Sequence, residues 1–489
     1  MMKNIDLKNR AKTGLLWKLI ENFGTQGISF LISIILTRLL SPEDYGIIAY
    51  TTVFITFANI FIQTGFTSAI IQKKSIREIE YSSVFFAGIV LSTLLYLIIF
   101  ILSPFIAIYF KEPILVWVLR AQSITLILGG LSSVHNTIII RNFQFKKSFK
   151  LRMIANIAHG GVGISLAILG FGVWALVFGT IANQLVVTIL LWLSVDWKPK
   201  IIFSMTKLKS LFSFSSRILF TEILNNVDNN IKSLIIGRSF STQTLGFYNR
   251  GSHFPILIMI NTDGALNTVM FPLFSNYQDN QSDFLAVYRR SFKSNIFIVF
   301  PLMIGLITVA DPLITLMFTE KWLPSVPFLQ ITCLICMTWP SSLAFQAYNA
   351  LGKVNVSLRL NLLSKFIGVI FMVITIQFGV YAFVLGVFIS SVISSVINLF
   401  FCEKVFGYEI SQQLRDLFPP LILSILMGML VFLVGININN NWIKLLTQIF
   451  SGGLIYFGGA KLFKLDSLSY FINNLTNLIM SQRSQRKSL

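Results

Sequence analysis

Long uncharged runs alternate with short clusters of Lys and Arg along the 489 residues, and that alternation defines the elements. A helix that crosses a bilayer takes about 20 apolar residues. Runs at Tyr45–Gln72, Tyr81–Phe110, Ala121–Ile140 and Trp322–Gly352 are each long enough for one such helix. Met153–Val195 and Phe366–Cys402 are each long enough for two, divided near Gly170–Gly172 and at Gly379. Residues 294–318, Leu417–Trp442 and Leu445–Ala460 supply three more. Three further segments, about 13–38, 211–238 and 243–273, are apolar but interrupted by charges. The pattern predicts an all-α polytopic membrane protein of about fourteen helices.

Composition excludes the main alternative. With 55% hydrophobic and 12% charged residues, too few polar side chains remain to cover a soluble enzyme. The balance of 39 Lys and Arg against 19 Asp and Glu, net +20, would suit a nucleic-acid binder only if the cations gathered on a polar domain. Here they sit between spans. With the N-terminus in the cytoplasm, 28 Lys and Arg fall in loops on that side. Only Arg38, Lys111, Arg238, Lys321 and Lys444 fall opposite. By the positive-inside rule this bias predicts an even number of spans with both termini cytoplasmic. The basic start, Lys3 to Lys12, runs into a long first segment without a small-residue cleavage site, so no cleavable signal is expected.

Other chemistry is sparse. Cys333 and Cys336 form a CxxC without a second ligand pair, and Cys402 is alone in an apolar run, so all three read as packing residues. His135, His159 and His253 lack metal-ligand spacing, and no metal or cofactor is expected. Gly160, Gly161 and Gly163 read as close helix packing.

The chain also repeats itself. Phe171-Gly-Val-Trp-Ala-Leu-Val-Phe-Gly179 matches Phe378-Gly-Val-Tyr-Ala-Phe-Val-Leu-Gly386 at six of nine positions, an offset of 207. Ser33, Ile35, Arg38, Ser41 and Gly46 recur as Ser233, Ile235, Arg238, Ser241 and Gly246, an offset of 200. A repeat holding six spans keeps one orientation, so the halves are expected as parallel repeats with a transport site between them near mid-membrane. The expected organisation is an N-lobe at 1–197, a C-lobe at 198–404, a helix pair at 405–465 and a cytoplasmic tail at 466–489.

Ten charges fall inside proposed spans: Lys18, Arg120, Arg217, Lys232, Arg250 and Lys365, with Glu21, Glu222, Asp228 and Asp263. Each costs about 2.5–3.5 kcal/mol at the bilayer centre, so they must pair, snorkel or line water. In the first span Lys18, Asn22, Thr25 or Gln26, Ser29, Ser33 and Thr37 recur every three to four residues. In the seventh, Arg217, Thr221, Asn225, Asp228 or Asn229 and Lys232 do the same. These stripes predict a hydrated cavity with Lys18, Arg217, Arg250 and Arg120 as cationic binding residues. Asn22, Gln26, Ser29, Thr221, Asn225 and Asn229 would line it. Arg and Lys suit phosphate, and the amides and hydroxyls suit sugars, so an anionic glycolipid fits. The competing reading is internal ion pairing, Lys18 with Glu21 or Asp228 with Lys232. Glu222, Asp228 and Asp263 are candidates to carry a coupling H⁺ or Na⁺.

Three motifs add a resemblance. Arg38-Leu-Leu-Ser-Pro-Glu-Asp-Tyr-Gly46, Leu245-Gly-Phe-Tyr-Asn-Arg250 and the Phe-Gly-Val-aromatic-Ala repeat resemble the Wzx-type polysaccharide or lipid-linked oligosaccharide flippases. These belong to the multidrug/oligosaccharidyl-lipid/polysaccharide exporter superfamily, and the colanic-acid and amylovoran branch is most similar. The resemblance implies two six-helix lobes, a C-terminal helix pair, alternating access and no enzymatic activity. It implies an undecaprenyl-pyrophosphate-linked oligosaccharide as cargo, moved across the bacterial inner membrane for exopolysaccharide, capsule or O-antigen. A monomer in membrane lipid, with a polysaccharide polymerase as a candidate partner, is the expected working unit. A drug/cation antiporter of the same superfamily is the alternative, and it should show a carboxylate-dominated cavity.

Overall fold

The structure, a computed structural model, describes residues 2–64, 67–73, 75–465 and 468. Within its helices, residues 2–16, 19, 64, 68–69, 72, 212–215, 217–218, 221, 224–225, 228–229 and 263–269 are described by backbone only. The described residues are helical throughout, with eighteen α-helices and three short 3₁₀ turns. They divide into two compact units, Met1–Gly246 and Phe247–Leu489.

The first unit opens with α1 (Met2–Leu39), α2 (Pro42–Thr64) and the short α3 (Thr67–Gln72). There follow α4 (Glu78–Phe110), α5 (Leu115–Gln122), α6 (Ile124–Arg141), α7 (Phe145–Ile168), α8 (Val173–Ser194) and α9 (Met205–Ser239). The first turn of α10 (Thr242–Asn276) completes it. In the second unit come α11 (Gln281–Thr308), α12 (Ala310–Met317), α13 (Val326–Cys336) and α14 (Leu343–Ala350). They are followed by α15 (Val354–Thr375), α16 (Val380–Phe406), α17 (Ile410–Ile436) and α18 (Asn441–Leu462).

Among the described residues ten stretches are long and apolar enough to cross a membrane. Four other long helices, α1, α9, α10 and α18, are less apolar, and the first three are the segments that charges interrupt in the sequence. Two boundaries differ from the pattern. The run at Tyr45–Gln72 divides into α2 and α3. The run at Trp322–Gly352 breaks into α13, α14 and 3₁₀ turns at Glu320–Ser325 and Trp339–Ser342. Pro324 and Pro340 sit in those turns, and proline removes an amide donor and obstructs the preceding helical turn. The expected tail at 466–489 lies outside the described residues, apart from Leu468.

Both sequence repeats have a structural reason. Gly172 and Gly379 carry φ of +54° and +98° and cap α8 and α16, a backbone region that glycine enters without steric cost. Ser41 and Ser241 stand just before α2 and α10. The Asp44 amide donates to Ser41 Oγ at 3.2 Å while Ser41 N donates back to Asp44 at 2.9 Å. This reciprocal cap has proline at the first helical position. The Thr244 amide likewise donates to Ser241 Oγ at 3.0 Å.

The same two motifs meet inside the first unit. A Cβ on Gly46 would land on the carbonyl oxygen of Thr242, and one on Gly246 would land on that of Pro42. Pro42 and Thr242, like Gly46 and Gly246, differ by 200 in number. The contact is therefore reciprocal, as at an isologous two-fold interface. Nearby, the ring of the fully buried Tyr50 occupies the space a side chain at Gly237 would need.

Replacing Gly46 or Gly246 by Ala is expected to destabilise the protein by about 1–3 kcal/mol through overpacking. The same change at Gly453, which has open space around it, should be neutral or stabilising by up to ~1 kcal/mol from helix propensity. Thermal unfolding of the purified variants in detergent checks the difference in sign.

Candidate functional site

Within its own unit α1 packs chiefly on α7. Two close contacts about two turns apart on α1 set its seam: Phe149 fills the space beside Gly24, and Ile32 packs on Gly160. Near the start of that seam lies Glu21, 2% exposed. Its carboxylate takes Lys18 Nζ at 3.2 Å and Arg152 Nε at 3.1 Å. Ser148 Oγ donates to Oε1 at 2.8 Å. A carboxylate buried this deeply needs such partners to stay charged. Two cations on one acid leave the cluster with a net positive charge, and Lys18 and Arg152 keep 43% and 45% of their side-chain surface exposed. Aromatic rings flank it: Lys18 lies 5.6 Å from the Phe145 ring and Lys146 lies 5.3 Å from Trp17.

The polar stripe on α1 divides by role. Thr25 donates to the Glu21 carbonyl at 2.5 Å and serves the helix itself, while Thr37 bonds the Ser33 carbonyl at 2.6 Å and also reaches the Tyr45 hydroxyl on α2 at 3.1 Å. Asn22 and Ser29 are exposed and Gln26 is half-buried. Asn156 on α7 donates to the Thr25 carbonyl at 3.3 Å and accepts from Asn183 on α8 at 3.0 Å, extending the polar surface across three helices.

Arg120 has a different task. Pro104 inside α4 supplies no amide to the carbonyl of Phe100, four residues earlier. Ser103 Oγ donates to that carbonyl at 2.8 Å, and Arg120 backs it from α5: its Nε donates to Ser103 Oγ at 3.1 Å and stands 3.4 Å from the carbonyl, with its guanidinium 4.0 Å from the Phe100 ring. Its partners are not those of Lys18, and the two expected binding cations are not brought together.

Arg250 is half-buried on α10 in the second unit. Glu222 is half-buried on α9 and forms no ion pair with a described residue. The side chains of Arg217, Thr221, Asn225, Asp228, Asn229 and Asp263 lie outside the described residues. His135 packs in an aromatic cluster, 4.8 Å from Trp192 and 5.3 Å from Trp197.

Sequence reasoning missed Arg152, which it counts among loop cations. A signal was available: Arg152 and Arg359 differ by 207, the offset of the Phe-Gly-Val repeat. Ser148 is also one helical turn before Arg152, on the same face.

Comparison with known proteins gives this geometry a family. Residues 35–327, more than half of the chain, match the family described as "Polysaccharide biosynthesis protein". The lipopolysaccharide biosynthesis protein WzxC of Escherichia coli (strain K12) is 22% identical over 447 residues, covering 88% of this chain and 89% of that protein. The teichuronic acid biosynthesis protein TuaB of Bacillus subtilis (strain 168) is 26% identical over 281 residues, 57% of this chain and 58% of its own length. Among solved structures, the lipid II flippase MurJ in its inward closed conformation matches with a TM-score of 0.77 at 18% identity, over 92% of this chain and 99% of that one. This all-α fold is that of a multi-pass membrane protein. The chain belongs to the polysaccharide biosynthesis family.

The role of Arg120 can be separated from transport. Arg120→Ala should lower stability by about 1 kcal/mol by removing the hydrogen bond to Ser103 and the guanidinium contact with the Phe100 ring. Pro104→Ala in the same chain should recover part of the loss, because residue 104 regains an amide. A double-mutant cycle on thermal unfolding reads the coupling. Export per folded molecule should change less than twofold.

Proposed function

We propose that the protein moves an undecaprenyl-pyrophosphate-linked oligosaccharide from the cytoplasmic to the outer leaflet of the bacterial inner membrane by alternating access. It serves exopolysaccharide, capsule or O-antigen synthesis. Fourteen spans, the ten apolar stretches with α1, α9, α10 and α18, give an even number and leave both termini cytoplasmic. The repeat-related lobes are 1–197 and 198–404, followed by the helix pair at 405–465. The reciprocal meeting of Pro42 and Gly246 with Thr242 and Gly46 supports the two-fold relation of the repeats.

The observation that carries the reading is the pairing at Glu21. It leaves one cation in excess, on side chains that are almost half exposed, midway along a helix offering amides and hydroxyls. Such a surface suits a pyrophosphate followed by sugars. In this reading Lys18 and Arg152 meet the pyrophosphate together with Arg217, while Asn22, Gln26 and Ser29, with Thr221, Asn225 and Asn229, meet sugar hydroxyls. Glu222, Asp228 and Asp263 are the carboxylates available to a coupling H⁺ or Na⁺. Consumption of the product by a polymerase outside would pull the cycle forward.

The test is export in a strain whose surface polysaccharide requires this gene. Lys18→Ala combined with Arg152→Ala, and Arg217→Ala alone, should each lower export at least about tenfold at normal protein level. That loss corresponds to about 1.4 kcal/mol or more of cargo stabilisation. Lys18→Arg should retain export. Full export by the Lys18/Arg152 double variant would overturn the assignment of phosphate binding to this cluster.

A further inference from the structure

The second unit holds a basic pocket that the transport reading does not use. It occupies about 400 Å³ where α11, α17 and the turn after α18 come together. Asp416 on α17 is 5% exposed. Arg289 on α11 grips both of its carboxylate oxygens, one through Nη2 at 2.9 Å. Lys293 stands 3.5 Å from Oδ1, and the Tyr408 hydroxyl donates to Oδ2 at 2.7 Å. Burial, and then the bond to Asp416, hold the Tyr408 phenol above its ordinary pKa, so it remains a donor at neutral pH. The acceptor capacity of Asp416 is thereby taken up.

Arg415 and Lys464 also line the pocket, are exposed, and have no carboxylate partner among the described residues. Four cations thus face a single acid. Three stretches distant in sequence contribute them, and each falls in a cluster that the charge bias assigns to the cytoplasmic side. Pockets of this kind between helices at that face recognise phosphate headgroups.

The apolar surroundings identify the source of the phosphate. Phe418, Ile422, Ile425 and Met429 follow Arg415 along one face of α17 at helical spacing, 47%, 53%, 37% and 58% exposed. Leu462 and Phe463, immediately before Lys464, are 82% and 68% exposed. A cation at the head of an exposed apolar stripe matches a headgroup followed by its hydrocarbon chain, and a soluble phosphate has no use for the stripe.

We propose that this pocket binds the phosphate of a resident anionic phospholipid, with an acyl chain laid along α17. The inference concerns a lipid other than the cargo and stands independently of the flippase reading.

The full chain in neutral detergent tests it. Phosphatidylglycerol or cardiolipin should raise the unfolding midpoint by at least ~3 °C, the size expected when ligand is well above its Kd. Phosphatidylcholine should not. Arg415→Gln with Lys464→Gln should lose at least half of the rise, and since both side chains are exposed the variant should purify normally. If it does not, each single substitution should lose part of the rise, and failure of both to do so counts against the proposal. An equal rise with phosphatidylcholine, or an undiminished one in the variants, overturns it. A rise of the same size with inorganic pyrophosphate overturns the lipid assignment in favour of a soluble phosphate.

Discussion

A carboxylate enclosed in a membrane protein must be neutralised where it stands, because neither water nor lipid will do it. Three buried acids are met in one way. Glu21 holds Lys18 and Arg152, and Asp416 holds Arg289 and Lys293. Glu80 takes Lys73 together with the Arg77 amide. In the first two sites the cations outnumber the acid and keep part of their surface exposed. The acid fixes their position, and part of each cation stays exposed. A single device thus anchors helices and leaves positive charge at the surface, the feature on which both proposals rest.

The same constraint governs the backbone. Prolines in long helices leave carbonyls without an amide, and in hydrocarbon each must find another donor. The Phe100 carbonyl, freed by Pro104, is met by the Ser103 hydroxyl, which Arg120 backs from α5. The Phe297 carbonyl, freed by Pro301, is met by the hydroxyl of Tyr456 on α18 at 2.9 Å. The kinks therefore tie α5 to α4 and α18 to α11. An intramembrane arginine is not by that fact a cargo ligand: Lys18 and Arg120 look alike in sequence, yet one flanks a charged cluster and the other completes a helix.

Family and chemistry fit together. The chain belongs to a family of polysaccharide biosynthesis proteins, and its described sites hold fixed charges, amides and hydroxyls on helices. Such groups suit the reversible binding that the proposed transport cycle requires. The repeat motifs serve that architecture directly. Ser41 and Ser241 start equivalent helices, and Gly46 and Gly246 let the starts of those helices approach to backbone contact.

Much of this was legible in sequence because the bilayer imposes a one-dimensional signal. A span must be apolar for its whole length, so α2, α4, α6, α7, α8 and α11 stand out by composition alone, and Gly172 and Gly379 mark their turns by needing a left-handed backbone. The repeat offsets and the polar face of α1 follow from spacing in the same way. Pairing is a different matter, because it depends on which helices adjoin. That Glu21 bridges Lys18 to Arg152, 131 residues further on, that Arg120 answers a proline on another helix, and that Arg289, Asp416 and Lys464 share one pocket were decided only when α7 packed on α1, α5 on α4, and α17 on α11 and α18. Helical periodicity says which face a residue occupies, and only the packed fold says what stands opposite it.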